Sequence, residues 1–243
     1  MTTHHGKIAL VTGANKGLGI EIARLLGEAG VTVLVGARSA EAGTAAAAVL
    51  QGEGLDAHFL AIDVTDPVSI EAAARAIEAK WGRLEILVNN AAVSLEPGVA
   101  PSQSQPDLFR RTYETNVFGL VAVIQAMIPL LRKSRSGRIV NMSTGLASLA
   151  LTSGPEAPFQ ASRLLAYNSS KTAVNAITVQ FANELRADGI KVNAANPGLC
   201  ATDLSRGQGR PPREGAKVPV GLALIDDDGP SGGLFGENGA APW

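Results

Sequence analysis

Short apolar runs alternate with longer helical segments along most of this chain, and that alternation restricts the fold more than any other feature. Lys7–Thr12, Val31–Gly36, His58–Ile62, Leu84–Val88, Arg138–Met142 and Lys191–Ala195 read as strands. Gly17–Ala29, Ala40–Gly52, Pro67–Trp81, Phe109–Leu131 and Leu164–Leu185 read as the helices between them. Strands that are apolar almost throughout, separated by helices, predict a parallel sheet covered on both faces. Right-handed crossovers then make an α/β doubly wound Rossmann sheet of about seven strands. No repeat and no linker divides the chain, so 1–243 is expected to form a single domain. The C-terminal part is rich in Gly, Pro and Asp, and reads as loops around one short helix and a last strand near Leu234–Phe235.

The bulk numbers narrow the function classes. With 46% hydrophobic and 18% charged residues over 243 positions, the chain can bury a large core. A net charge of −1 gives no global field for nucleic acid. The single cysteine excludes an intrachain disulfide, and Cys200 reads as a small buried residue. The N-terminus lacks the order of a signal peptide, and no apolar run is expected to reach membrane-spanning length. The expectation is a cytoplasmic protein with no membrane partner and no metal.

Two local patterns carry chemistry. The first is Thr12-Gly-Ala-Asn-Lys-Gly-Leu-Gly19, between the first strand and the first helix. Glycines there permit close approach of backbone to a ligand, and the helix start offers free N–H groups to a pyrophosphate. Gly13, Asn15, Lys16, Gly17, Leu18 and Gly19 are its candidate ligands, although such a turn can also be only a tight link. The second strand ends in Gly36-Ala37-Arg38, with no acid to accept from a ribose 2′-hydroxyl. Arg38, with Lys16 as a second cation on the same side, favours NADP(H), unless Arg38 is a solvated residue paired with Glu41.

The second pattern is Tyr167 and Lys171, at i and i+4 of a predicted helix and so on one face. Such pairs are commonly a solvated face. A nearby ammonium is expected to lower the tyrosine pKa and suit it to proton transfer.

Taken with these, Asp63-Val64, Asn89-Asn-Ala-Ala92, Thr115-Asn-Val-Phe-Gly119, Gly137–Thr144 and Asn196-Pro-Gly-Leu199 give a chain that resembles the short-chain dehydrogenase/reductases, and among them the carbonyl-reductase-like members. The resemblance spans nearly the whole chain. It implies an NADPH-dependent reductase of aldehydes or ketones, or an alcohol dehydrogenase run oxidatively. A cofactor-binding regulator without turnover is the contrasting class.

The resemblance also implies roles. Asp63 and Val64 would meet the adenine, and Asn89 and Ala91 the cofactor cleft. Pro197, Gly198, Leu199 and Thr202 would hold the nicotinamide end. Tyr167 would be the acid–base residue, and Lys171 would contact the nicotinamide ribose. Asn116 would anchor a water in a proton relay, or else bridge backbone groups at a helix irregularity.

The family's usual second serine is replaced here, so Thr144 takes the place of the carbonyl-polarising hydroxyl, with Ser143 as fallback. The separation of Thr144 and Tyr167 is longer than is common in the family. That places an insertion around 149–163, next to the substrate cleft, and makes a monomer or homodimer the expectation rather than a tetramer. The pocket would be lined by Val93, Ser94, Leu95, the insertion and the loop after Leu199. Its small-molecule substrate is expected to be apolar or aromatic. Residues 201–217 are expected to close over it.

Overall fold

The computed structural model describes residues 4–243. Seven parallel strands run β1 (Ile8–Thr12), β2 (Thr32–Ala37), β3 (Ala57–Ala61), β4 (Ile86–Asn89), β5 (Arg138–Met142), β6 (Lys191–Ala195) and β7 (Leu234–Gly236). They lie in the order β3-β2-β1-β4-β5-β6-β7, and an eighth strand, β8 (Gly239–Ala241), pairs antiparallel with β7 at the edge. The eighth strand has the sequence Gly-Ala-Ala and carries no β-branched signal. Its pairing is set by the tight turn at Gly236–Gly239, where Gly239 has φ +93°.

Alternate strand residues face opposite sides of a sheet. Leu10, Leu34, Leu87, Ile139 and Val192 therefore join one core. Ala9, Val11, Val33, Val35, Ile86, Val88 and Val140 join the other. The first core is closed by α3 (Pro67–Trp81), α5 (Leu120–Leu131) and α7 (Leu165–Glu184). The second is closed by α1 (Gly17–Glu28), α2 (Ala40–Gly52) and α8 (Pro212–Ala223). Both faces being covered explains why the strands read as unbroken apolar runs.

Local signals set some helix ends outright. Ser39 caps α2 by accepting from Ala42 N, and Asp66 caps α3 with Pro67 in the first turn. Gly82 ends α3 with φ +76°.

The helix expected over Phe109–Leu131 differs in two ways. It starts earlier, as α4 (Pro106–Tyr113), and it passes through a π-helical turn, Glu114–Gly119, before α5. Together Pro106–Leu131 is long and apolar enough to cross a membrane by length and composition alone, contrary to the expectation. More than half of its apolar stretch is buried, with Val123, Ile124 and Met127 in the core.

The chain leaves the β1-β2-β3 half and re-enters the sheet at β4, on the other side of β1. This reversal opens a crevice beyond the carboxyl ends of β1 and β4, where such sheets bind ligands. Thr12, Asn89 and Met142 end the strands that border it.

Candidate active site

The glycine turn is shaped by what it touches. A Cβ on Gly19 would lie 2.4 Å from Gly13 O and 2.6 Å from Asn90 Nδ2, and one on Gly13 would lie 3.0 Å from Ala91 Cα. Gly13 and Gly17 also need positive φ, +64° and +58°. Thr12 holds the turn to the next strand: its Oγ1 accepts from Asn90 N and Ala91 N, both at 3.0 Å. Asn90 Nδ2 in return donates to Thr12 O at 2.9 Å and to Gly13 O at 3.2 Å. Neither Thr12 nor Asn90 is assigned a role by the sequence. The signal for Thr12 is a polar residue ending a buried strand.

α1 follows with no side-chain cap. Its first-turn amides, at Gly17, Leu18 and Gly19, have no intrahelical acceptor and form the positive end of the helix dipole. An uncapped helix start beside a glycine cradle fits a pyrophosphate.

Around this cradle the expected ligands fall unevenly. Arg38 is exposed just past β2, and its charge helps hold the Asp63 carboxyl below its usual range, after the bonds from Thr65. Among the described residues no ion pair joins Arg38 to Glu41. Lys16, expected as a second cation beside Arg38, has a carboxylate partner of its own. Its Nζ pairs with Asp203 at 2.6 Å, both side chains being well exposed. The physical cause is that the loop after β6 comes up against the turn, with Thr202 Cγ2 lying 3.4 Å from where a Gly17 Cβ would be.

Asn89 is 4% exposed and donates to Asn141 Oδ1, which sits opposite it in the β4–β5 register. Its side chain is spent inside the sheet, leaving only its backbone at the cleft.

The segment 196–211 is folded back on itself, and the loop expected over 201–217 ends there because α8 starts at Pro212. Arg210 donates to Pro197 O from Nε and Nη2, at 3.1 and 2.6 Å, and pairs with Glu237. Gly198 stands at φ +72°, Leu199 is 62% exposed, and Cys200 is buried. A cleft of about 480 Å³ opens between this segment and the β7–β8 hairpin, lined by Asn196, Leu199, Arg210 and Glu237 among others.

Tyr167 and Lys171 stand one turn apart near the start of α7, with Lys171 buried and Tyr167 half-buried. Lys171 Nζ donates to Met142 O at 2.8 Å and lies 5.9 Å from the centre of the Tyr167 ring. The expected depression of the tyrosine does not occur. Burial pushes Tyr167 up to about 12 and Lys171 down to about 8. The ammonium is turned to the end of β5, so desolvation of each group outweighs attraction between them.

Beyond Met142 come the two hydroxyls. Ser143 is 4% exposed and its Oγ donates to Asn175 Oδ1 at 2.6 Å. Thr144 is half-buried, and its Oγ1 accepts from Leu146 N at 3.3 Å. Its own proton has no acceptor among the described residues. The extended backbone of Thr144 alternates the two side chains to opposite faces.

Asn116 lies in the π-helical turn, a feature common at functional sites. Its Oδ1 accepts from Val93 N, and its Nδ2 donates to Val93 O and to Ser170 Oγ, at 2.8, 2.9 and 3.0 Å. The side chain thus bridges backbone at a helix irregularity. Through Ser170, which donates to Tyr167 O at 2.7 Å, it also reaches α7.

Residues 149–163 form the one-turn α6 (Leu149–Thr152) and a series of turns. Phe159 folds over Gly145, 2.8 Å from where that residue's Cβ would be, and stays 38% exposed.

A doubly wound sheet with a glycine cradle at the reversal, a tyrosine and a lysine on the helix beside it and a hydroxyl just past a strand end is the architecture of a nucleotide-linked oxidoreductase. The model of the short chain dehydrogenase family matches residues 7–212. The short-chain dehydrogenase anuI of Penicillium roqueforti is 35% identical, over 95% of this chain and 92% of its own. Carbonyl reductase [NADPH] 1 of Mus musculus is 31% identical, over 97% of this chain and 98% of its own. The Pseudomonas aeruginosa RhlG/NADP active-site complex superposes with a TM-score of 0.85 at 28% identity, over 97% of this chain and 96% of that one. The chain belongs to the short-chain dehydrogenase/reductase family. It is an oxidoreductase acting on CH–OH/C=O groups with a nicotinamide dinucleotide.

Proposed function

We propose that this protein is an NADPH-dependent reductase of aldehydes and ketones. The observation that carries the reading is the grouping of Tyr167, Lys171 and the free Thr144 hydroxyl at the ends of β5 and α7.

Gly13, Asn15, Lys16, Gly17, Leu18 and Gly19 would hold the pyrophosphate, and Arg38 the 2′-phosphate. The lack of an acid after β2 supports NADP(H) over NAD(H). Mouse carbonyl reductase [NADPH] 1 and the RhlG/NADP complex point the same way. Asp63 and Val64 would face the adenine, with Ala91 and the Asn89 backbone behind it. Pro197, Gly198, Leu199 and Thr202 would hold the nicotinamide end, with Lys171 at its ribose.

NADPH, when bound, supplies the hydride. Thr144 and Tyr167 donate hydrogen bonds to the carbonyl oxygen, where negative charge gathers. Tyr167 then gives its proton to that oxygen. Burial keeps Tyr167 protonated through the neutral range, as a proton donor must be. Lys171, charged below about 8, stabilises the phenolate left behind. Asn116 would order a water on the path that restores the proton. Leu95 and Phe159, the latter packed over Gly145, would give the pocket an apolar wall, in keeping with an apolar or aromatic substrate.

The test is NADPH or NADH oxidation with a panel of aryl ketones, quinones and aldehydes. NADPH turnover is expected, with Y167F slower by about 10²–10⁴-fold. R38D should shift preference toward NADH by about tenfold or more, as loss of a charge-assisted phosphate contact predicts. A folded protein that oxidises NADPH with no carbonyl sinks the reading.

A further inference from the structure

α7 begins without a cap of its own. Leu164, at the N-cap position, makes no side-chain bond, and no acidic residue follows in the first turn. First-turn amides need acceptors when water is excluded. One acceptor arrives from far away in the chain: Glu96 Oε2 takes the hydrogen bond of Tyr167 N at 3.0 Å.

Glu96 is only 7% exposed, and its Oε1 accepts from Ser104 Oγ at 3.2 Å. Its oxygens thus meet an amide and a hydroxyl rather than a cation. A buried carboxylate without a cation is costly, and here the helix start compensates it. The loop that carries Glu96 is pinned a second time, at Val93, by Asn116. The capped amide belongs to the tyrosine itself.

We propose that Glu96 is a positioning residue for Tyr167. Its carboxylate fixes the first turn of α7, sets where the phenol stands, and ties the loop 93–104 to it. This rests on the reading of Tyr167 as the proton donor.

The test uses the full chain as parent, E96A and E96Q, with NADPH and the best aryl ketone of the panel. The amide oxygen of E96Q can still accept from Tyr167 N. Expected is a kcat for E96A at least about fivefold below the parent, with the KM for NADPH within about threefold, and E96Q closer to the parent than to E96A. A smaller loss in E96A, a loss carried in KM alone, or an E96Q as slow as E96A overturns the proposal.

If the parent reduces no carbonyl, the functional reading has failed and the positioning role is read from amide exchange. Tyr167 N–H should then exchange at least about fivefold faster in E96A and at the parent's rate in E96Q. Equal rates in all three overturn it.

Discussion

Ser143 spends its hydroxyl on Asn175 inside the core, whereas Thr144 keeps its own at the crevice, so the two positions should separate stability from turnover. S143A should destabilise the fold by about 1–2 kcal/mol in urea unfolding, the cost of an unsatisfied buried acceptor, with kcat changed little. T144A should leave the unfolding midpoint in place and lower kcat by about tenfold or more. The reverse pattern would assign the catalytic hydroxyl to Ser143. Lys171 gives a pH prediction. With its folded value at about 8, reductive kcat should fall as pH rises through that value, and K171R should move the fall upward. The stability sign follows from the same shift. Between about 8 and the ordinary 10.5 the unfolded chain binds more protons at this residue, so its contribution rises with pH across that window. Below it the cost of burying the charge is fully present. K171M should therefore stabilise the fold at pH 7 by about 1–3 kcal/mol, net of the lost bond to Met142 O, and by less at pH 10. Unfolding at both pH values checks this. The Tyr–Lys spacing was legible in the sequence. The direction of the tyrosine shift was not, because it depends on burial and on where the ammonium points.

At the scale of elements, the first turn and first helix form a unit that tolerates no side chain at Gly19. G19A would place a methyl 2.4 Å from Gly13 O. It should destabilise by about 1–3 kcal/mol, as overpacking does, and weaken NADPH binding. G52A is the control, because nothing lies within 4 Å of its new methyl. That substitution should be neutral or stabilising by up to about 1 kcal/mol, since Gly52 is the last helical residue of α2. Thermal unfolding and nucleotide titration separate the two. The bounds of α2 and α3 were readable because Ser39, Asp66, Pro67 and Gly82 act locally. The π-helical turn and the cap of α7 were not. One is tied to the bonds of Asn116 with Val93 and Ser170, and the other comes from Glu96, 71 positions before the amide it caps.

Across the whole molecule, the C-terminal hairpin joins the sheet edge to residues 149–163. β8 pairs with β7, and Ala150 N donates to Trp243 O at 3.0 Å. Truncation after Asn238, which removes β8 and Trp243 but keeps the Arg210–Glu237 pair, should raise KM for the carbonyl substrate by about three- to tenfold and leave KM for NADPH nearly unchanged. Steady-state kinetics with each substrate varied in turn checks the split. By itself the sequence determined the doubly wound sheet, the glycine cradle and the tyrosine–lysine face, because periodicity, glycine placement and helical spacing are local properties of a chain. Only the tertiary structure decided that Ser143 is buried and Thr144 keeps a proton without an acceptor among the described residues, that Lys16 turns to Asp203 while Arg38 acts on Asp63, that Asn89 donates within the sheet, and that a carboxylate caps the tyrosine's helix. Those outcomes depend on which distant segments meet, and on how much water is left when they do.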